Sequence, residues 1–320
     1  MTAVSLNDVL RAYRLISPHI HRTPIQTSSY LAGETGFSVL MKCELFQKTG
    51  SFKIRGALNA VMNLDPETAA RGVVTHSSGN HAAALALAAK MRGIPAHVVM
   101  PVNAAPVKRA AVEHYGAQVY PCAPTQDDRE TEAARVQRET GATLLPPFDH
   151  PHIIAGQGTI GLELLEQANG IDAVIVPVGG GGMLSGIATA VGALAPGVRI
   201  IAAEPADADD TYRSFVSGER QSQPPNQTVA DGLRTSVGEL TWPIIKQHVE
   251  RVVTVSEDAI IQNTRAVWER CKLLIEPSAA VGVAAAQTEE VRELGLERVA
   301  VILCGGNVDL DRLPWQTALA

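Results

Sequence analysis

The 320-residue sequence predicts an α/β protein built on parallel sheets, and three observations carry that prediction. Strand-like and helix-like segments alternate almost throughout, the pattern of sheets wrapped by helices. The run Ala173-Val174-Ile175-Val176-Pro177-Val178 is short, β-branched and without alternation, as a strand buried on both faces is. Four consecutive glycines, Gly179 to Gly182, follow it and lead into a helical segment at 183–194. Bare glycines between strand and helix leave backbone N–H groups uncovered at a helix N-terminus, which makes a cup for a phosphate.

Each element has its own signal. Residues 39–44 read as a strand and 51–64 as a helix with Ser51 as N-cap. A strand at 73–76 precedes an Ala-rich helix at 80–91, which Gly93-Ile94-Pro95 ends. Strand 96–100, helix 106–115, strand 118–120 and helix 127–139 follow, the last stopped by Gly141. Then come strand 143–145, helix 158–167, the glycine run with its helix, and strand 198–203. A polar, Pro-rich loop near 222–227 separates these from strand 252–255, helices 257–272 and 278–286, and strand 299–303. So many strands imply two sheets. The block at 72–145 reads as a small α/β domain inserted into a larger one made of 1–71 and 146–320.

Composition narrows the class of function. Hydrophobic residues make up 46%, charged residues 19% and aromatics 4%, a globular composition long enough for two well-buried cores. A net charge of -6, with no basic stripe, argues against nucleic acid or an anionic membrane as partner. Cys43, Cys122, Cys271 and Cys304 are widely spaced, so neither a zinc knuckle nor a disulfide framework is expected. The first residues lack a signal-peptide pattern, and Gly and Pro interrupt every apolar stretch. The expectation is a cytoplasmic protein without a membrane span.

Three further segments carry chemistry. Lys53, in Thr49-Gly50-Ser51-Phe52-Lys53-Ile54-Arg55-Gly56, falls at a helix start beside apolar residues. Such a lysine loses its proton more easily, as one that bonds to an aldehyde must. By local sequence alone it reads first as a solvated helix lysine. Ser77-Ser78-Gly79-Asn80-His81 offers hydroxyls, an amide and N–H groups at a helix start, a seat for a carboxylate and equally a plain capped turn. Cys304-Gly305-Gly306-Asn307 follows the last strand, at the end that faces the ligand crevice in α/β sheets.

Taken in this order, these segments resemble the fold type II pyridoxal phosphate enzymes, the tryptophan synthase β-like fold. Within it they look most like the group of serine racemases and serine/threonine dehydratases. The resemblance runs from His21-Arg22-Thr23-Pro24 to the Cys304 segment, through Ile154-Ala155-Gly156-Gln157-Gly158-Thr159, Ala230-Asp231-Gly232 and Leu274-Ile275-Glu276-Pro277. It implies two three-layer α/β domains, a pyridoxal 5'-phosphate cofactor and a homodimer. It makes Lys53 the lysine bonded to the cofactor aldehyde and the acid–base group on one face, with Ser78 on the other. It implies that Phe52 packs on the pyridine ring, that Gly179, Gly180, Gly181, Gly182 and Met183 hold the phosphate, and that Asn80 binds the ring hydroxyl. Ser77, Ser78 and His81 would surround the substrate carboxylate. Cys304 would face the pyridine nitrogen. A thiol brings no fixed negative charge, so the ring is a weaker electron sink, which favours loss of a β-leaving group over transamination.

The segment Glu204-Pro205-Ala206-Asp207-Ala208-Asp209-Asp210 matches the cation site of the serine racemase branch. The resemblance implies Glu204, the Ala208 carbonyl and Asp210 as ligands, a hard oxygen set suited to Mg²⁺, Mn²⁺ or Ca²⁺. Read without it, this is an acidic surface loop. Arg129 stands where simple threonine dehydratases carry a neutral residue and the racemase branch carries Arg, and Ser236 matches a residue on the same side of the pocket. Together they point to a second substrate carboxylate and to 3-hydroxyaspartate, with serine, threonine or racemisation as the alternative. Arg129 reads equally as an exposed helix arginine.

Gly156-Gln157-Gly158-Thr159-Ile160-Gly161 fits the dinucleotide fingerprint, but no apolar strand precedes it and no acid follows at the required distance. The pairs His19/His21 and His150/His152 read as capping or surface histidines.

Overall fold

The computed structural model describes residues 4–316 except Ser78 and Ala105, and for Gln126 the backbone alone. The chain opens with helix α1 (Leu6–Ile16), started by a capping box in which Ser5 and Asp8 bond each other's backbone. Strand β1 (Ile25–Thr27), helix α2 (Ser29–Thr35) and strand β2 (Ser38–Cys43) follow. Helix α3 (Lys53–Met62) and the short α4 (Pro66–Ala70) lead into β3 (Val73–His76). The next elements are α5 (Asn80–Arg92), β4 (Ala96–Pro101), α6 (Pro106–His114), β5 (Gln118–Cys122), α7 (Gln126–Thr140) and β6 (Thr143–Leu144). Both α5 and α7 end on a left-handed glycine, Gly93 and Gly141, whose N–H closes the last turn.

Helix α8 (Pro151–Gln167), strand β7 (Ala173–Pro177), helix α9 (Gly182–Leu194) and strand β8 (Arg199–Pro205) form the centre of the molecule. The rest comprises α10 (Asp210–Ser217), α11 (Thr241–His248), β9 (Arg251–Val255), α12 (Glu257–Ala266), α13 (Pro277–Ala286), α14 (Glu289–Arg292) and β10 (Arg298–Leu303).

Two sheets result. One runs β1-β2-β10-β7-β8-β9, parallel except for β1, and the other β5-β4-β3-β6, wholly parallel. Every residue of β7 is buried, as its unbroken apolar run requires. Each large side chain there contributes about 1.5–3 kcal/mol by leaving water. Because β2, β10 and β7 are parallel neighbours, their C-terminal ends share one edge of the larger sheet. That edge carries the lysine segment, Cys304 and the glycine run.

Three expectations are corrected. Ser51 is not a helix cap: it is extended and bridges Gly305, and α3 starts at Lys53. Helix α8 begins at Pro151 instead of 158, because His150 caps it through Nδ1 and Pro151 occupies its first turn. The helix expected over 257–272 stays α-helical to Ala266 and ends in a π-turn over Val267–Cys271. The fingerprint-like glycines lie inside α8. A Cβ on Gly156 would sit 2.6 Å from the Arg55 carbonyl, and one on Gly158 would sit 2.7 Å from the Gly186 carbonyl. They let α8 pack tightly on α3 and α9, a backbone contact and no dinucleotide loop.

Candidate active site

Lys53 is held by the end of the last strand. Phe52 N–H donates to the Cys304 carbonyl at 3.1 Å, and Gly306 N–H donates to the Gly50 carbonyl at 2.9 Å. The turn before it is tight: Thr49 and Gly50 both have positive φ, and a Cβ on Gly50 would lie 2.4 Å from Asn307 Oδ1. The Lys53 amine donates to the Pro147 carbonyl at 3.0 Å and lies 5.0 Å from the centre of the Phe52 ring. Burial pulls its pKa down to about 8, against an opposing pull from negative charge nearby. Burial and neighbouring Glu276 hold the Cys304 thiol well above its ordinary value, so it stays protonated. The charge that draws the other way is therefore that of Glu276. Phe52 is buried among the core side chains next to the amine.

The glycine run lies between β7 and α9. Helix α9 starts with no side-chain cap, after Gly181 in the left-handed region at φ 85°. A Cβ on Gly180 would lie 2.3 Å from the Phe148 ring, and one on Gly179 would lie 2.8 Å from Leu233 Cα. Any side chain there would displace its neighbours. Met183, in the first turn, is buried.

The second sheet contributes the end of β3. Helix α5 also starts without a side-chain cap, and Ser77 Oγ accepts from Gly79 N–H at 3.4 Å. Ser78 lies outside the described residues. Asn80 Nδ2 donates to both oxygens of Glu276, at 2.9 and 3.0 Å, and Asn80 Oδ1 accepts from Asn307 at 2.9 Å. His81 is buried, with Nε2 against the Leu145 carbonyl at 3.1 Å and Nδ1 without a partner among the described residues. Burial, with the Lys53 charge beside it, pulls its pKa down to about 3. The ring is neutral, so Nε2 donates and Nδ1 is a free acceptor.

These residues fit a pyridoxal phosphate. The uncapped start of α9 offers N–H groups to a phosphate. Thr49 Oγ1, Ser51 Oγ and His81 Nδ1 are buried polar atoms around Lys53 without a partner among the described residues.

Arg129 lies on α7, half-buried, with its Nε buried and without a partner among the described residues. Burial lowers the pKa of His76, the last residue of β3; the charge of Glu130 opposes this and that of Arg129 adds to it. Ser236 Oγ accepts from Gln223 N–H at 2.8 Å, and its neighbour Val237 N–H donates to Asp210 Oδ2 at 2.8 Å. Asp210 and Glu204 are both buried. Glu204 accepts from Thr211 and Tyr212 N–H at 3.2 and 2.6 Å, whereas Asp210 Oδ1 has no partner. Burial, with Asp210 adding to it, pushes Glu204 up to about 8. Ala208 is buried in the turn between them. Among the described residues no group of three or more His, Cys, Asp or Glu side chains is arranged to hold a metal.

Sequence reasoning passed over Glu276, Asn307 and Pro147 as individual site residues. Glu276 carried a signal, an acid set between an apolar run and Pro277. Asn307 sat in a quoted segment without a role. The Pro147 carbonyl had no signal at all, because its position depends on the tertiary fold.

The chain is 48% identical over 308 residues to beta-hydroxyaspartate dehydratase of Paracoccus denitrificans, covering 96% of this chain and 98% of that one. It is 50% identical to serine racemase of Homo sapiens, with 96% and 92% covered. The solved structure of maize serine racemase superposes with a TM-score of 0.95 at 45% identity, over 97% and 95% of the two chains. The sequence pattern of the pyridoxal-phosphate dependent enzymes matches residues 16–305, from the end of α1 to the glycine after Cys304, and the chain belongs to that family.

Proposed function

We propose that the protein is a lyase that dehydrates and deaminates 3-hydroxyaspartate to iminosuccinate and, by hydrolysis, oxaloacetate and ammonia. Arg129 carries the reading: a half-buried guanidinium on α7 whose buried Nε has no partner among the described residues. A guanidinium there suits a second carboxylate, which it binds with two parallel hydrogen bonds and which serine and threonine lack. The identity to beta-hydroxyaspartate dehydratase supports the same substrate.

Bound at the glycine cup, pyridoxal phosphate supplies an electron sink beside the substrate α-carbon. In this reading Gly179 to Met183 hold the phosphate, Phe52 and Cys304 border the ring, and Asn80 meets its hydroxyl. Ser77, Ser78, His81 and the first N–H groups of α5 bind the α-carboxylate. Arg129 and Ser236 hold the second. Lys53 takes or returns the α-proton on one face, and its depressed pKa keeps a usable fraction of free amine near neutral pH. Ser78 is assigned the other face. The α-proton and β-hydroxyl leave as water, and hydrolysis of the imine releases the nitrogen as ammonia.

The 50% identity to serine racemase favours a second reading, serine racemase or serine/threonine dehydratase. A substrate panel of both enantiomers of serine and threonine and all stereoisomers of 3-hydroxyaspartate decides between them. Preference for one hydroxyaspartate isomer supports the first reading, and preference for serine or threonine the second.

A divalent cation, Mg²⁺ with Mn²⁺ or Ca²⁺ as alternatives, is proposed at Glu204, the Ala208 carbonyl and Asp210. Its support is the unpartnered Asp210 Oδ1 beside a second buried carboxylate, an arrangement that a cation completes. The division into 1–71 with 146–320 and an inserted 72–145 rests on the two separate sheets, although Ile54, Leu58 and Val61 of α3 pack into the core under the smaller one. A homodimer follows from the resemblance, and sedimentation tests it. Four free cysteines support a cytoplasmic location, and among the described residues no helix is long and apolar enough to cross a membrane.

A further inference from the structure

Glu276 precedes Pro277 at the start of α13, and its N–H donates to the Gly305 carbonyl at 3.1 Å. The residue is 3% exposed. One carboxylate oxygen lies 4.0 Å from Cys304 Sγ, and a Cβ on Gly305 would come within 2.7 Å of it. The ionisable groups that face it are Lys53, Cys304, Asp231 and Lys108, the last two forming an ion pair with each other. Burial, with Asp231 adding to it, raises its pKa to about 7, while the bonds from Asn80 and the Asn307 N–H and the charge of Lys108 draw it down.

Asn80 Nδ2 is within hydrogen-bond distance of both oxygens of Glu276. The two oxygens of one carboxylate are close enough together for a single N–H to serve both, which leaves the second N–H of the amide for another acceptor. On the other side, Asn80 Oδ1 accepts from Asn307 Nδ2, which also donates to the Thr49 carbonyl at 2.7 Å. An amide with a carboxylate at its nitrogen and a donor at its oxygen has one orientation, since turning it over would set acceptor against acceptor. When Glu276 is protonated its O–H could donate to a turned amide, and the orientation then rests on Asn307, whose Nδ2 is fixed as a donor by the Thr49 carbonyl.

We propose that Glu276 is a positioning residue for the cofactor: with Asn307 it locks the Asn80 amide so that an N–H, and not the C=O, is presented to the ring hydroxyl of bound pyridoxal phosphate. The proposal rests on the assignment of Asn80 to that hydroxyl.

The test compares holoenzymes of the parent, Glu276→Ala, Glu276→Gln, Asn80→Ala and the Glu276→Ala/Asn80→Ala pair. It reads the position of the visible absorbance band and the rate at which the cofactor is lost on dialysis. Glu276→Ala is expected to move the band as Asn80→Ala does and to speed cofactor loss about tenfold. The pair adds nothing further. Glu276→Gln, whose amide oxygen still accepts from Asn80, restores both readings. A purely structural role would not be rescued in the spectrum by Gln or cancelled by Asn80→Ala. If Glu276→Ala fails to fold, exposed Asn307→Ala decides, since it frees the same amide from the other side and is expected to move the same band. A parent-like band and loss rate in Glu276→Ala, with both altered in Asn80→Ala, would overturn the proposal and leave the role of Asn80 standing. Parent-like readings in both would remove both.

Discussion

Asp210 and Gly180 are joined by two consecutive backbone groups: Val237 N–H donates to Asp210 Oδ2 at 2.8 Å, and Gly238 N–H donates to the Gly180 carbonyl at 3.2 Å. The proposed cation ligand is thus tied to the glycine cup through one short segment. Chelation is expected to speed cofactor loss as well as lower activity, and Mg²⁺ is expected to restore both. Asp210→Asn should lower cation affinity by at least about tenfold. Titration calorimetry with Mg²⁺ checks this, and unchanged affinity would remove Asp210 from the ligand set.

Lys53→Ala is expected to lower kcat by about 10²–10⁴-fold, the range for a lost acid–base group, and to change the visible spectrum. Lys53→Arg should not rescue it, because a guanidinium does not release its proton near neutral pH. Full activity in either variant would contradict the role given to Lys53.

His81 makes the fold acid-sensitive. Burial holds its folded pKa at about 3 against an ordinary 6.5, so the unfolded chain binds the proton first. Its stabilising contribution is complete above pH 6.5 and is lost as the pH falls toward 3. Glu276, raised to about 7, acts in the opposite sense between 4.5 and 7, so the contrast is drawn against a variant. His81→Gln should flatten the fall in Tm between pH 6.5 and 4 relative to the parent. Equal slopes would show that His81 is not buried neutral.

Gly186 and Gly33 test the packing of the central helices. A Cβ on Gly186 would lie 2.3 Å from the Ile154 carbonyl and 2.5 Å from Gly158 N, both backbone atoms that cannot swing aside. Gly186→Ala is expected to destabilise by about 1–3 kcal/mol. Nothing lies within 4 Å of a Cβ on Gly33, in α2, so Gly33→Ala should stabilise by about 0.4–1 kcal/mol. Denaturant melts of the two variants should move in opposite directions.

Much of this was legible in the sequence because its signals were local. The β-branched run at 173–178 and the glycines after it announce strand, cup and helix within a few residues. The start of α8 was hidden because Gly156 and Gly158 fall in a stretch that fits a dinucleotide fingerprint, and only their contact with Arg55 and Gly186 explains them. Ser51 has the chemistry of a cap, but its pairing with Gly305, distant in sequence, makes it extended. Helix α1 went unread although Ser5 and Asp8 had the spacing of a capping box. Lys53 needed the whole set of segments to be recognised. The bond from its amine to the Pro147 carbonyl depends on chain closure alone.

The most direct test of the central claim is kcat/KM for the preferred 3-hydroxyaspartate isomer and for serine, measured in the parent and in Arg129→Ala. The account predicts that the variant loses about 10²-fold on hydroxyaspartate, as expected when a paired, charge-assisted contact is removed, and changes about twofold or less on serine. An equal loss on both substrates would contradict it and leave Arg129 without a part in choosing the substrate.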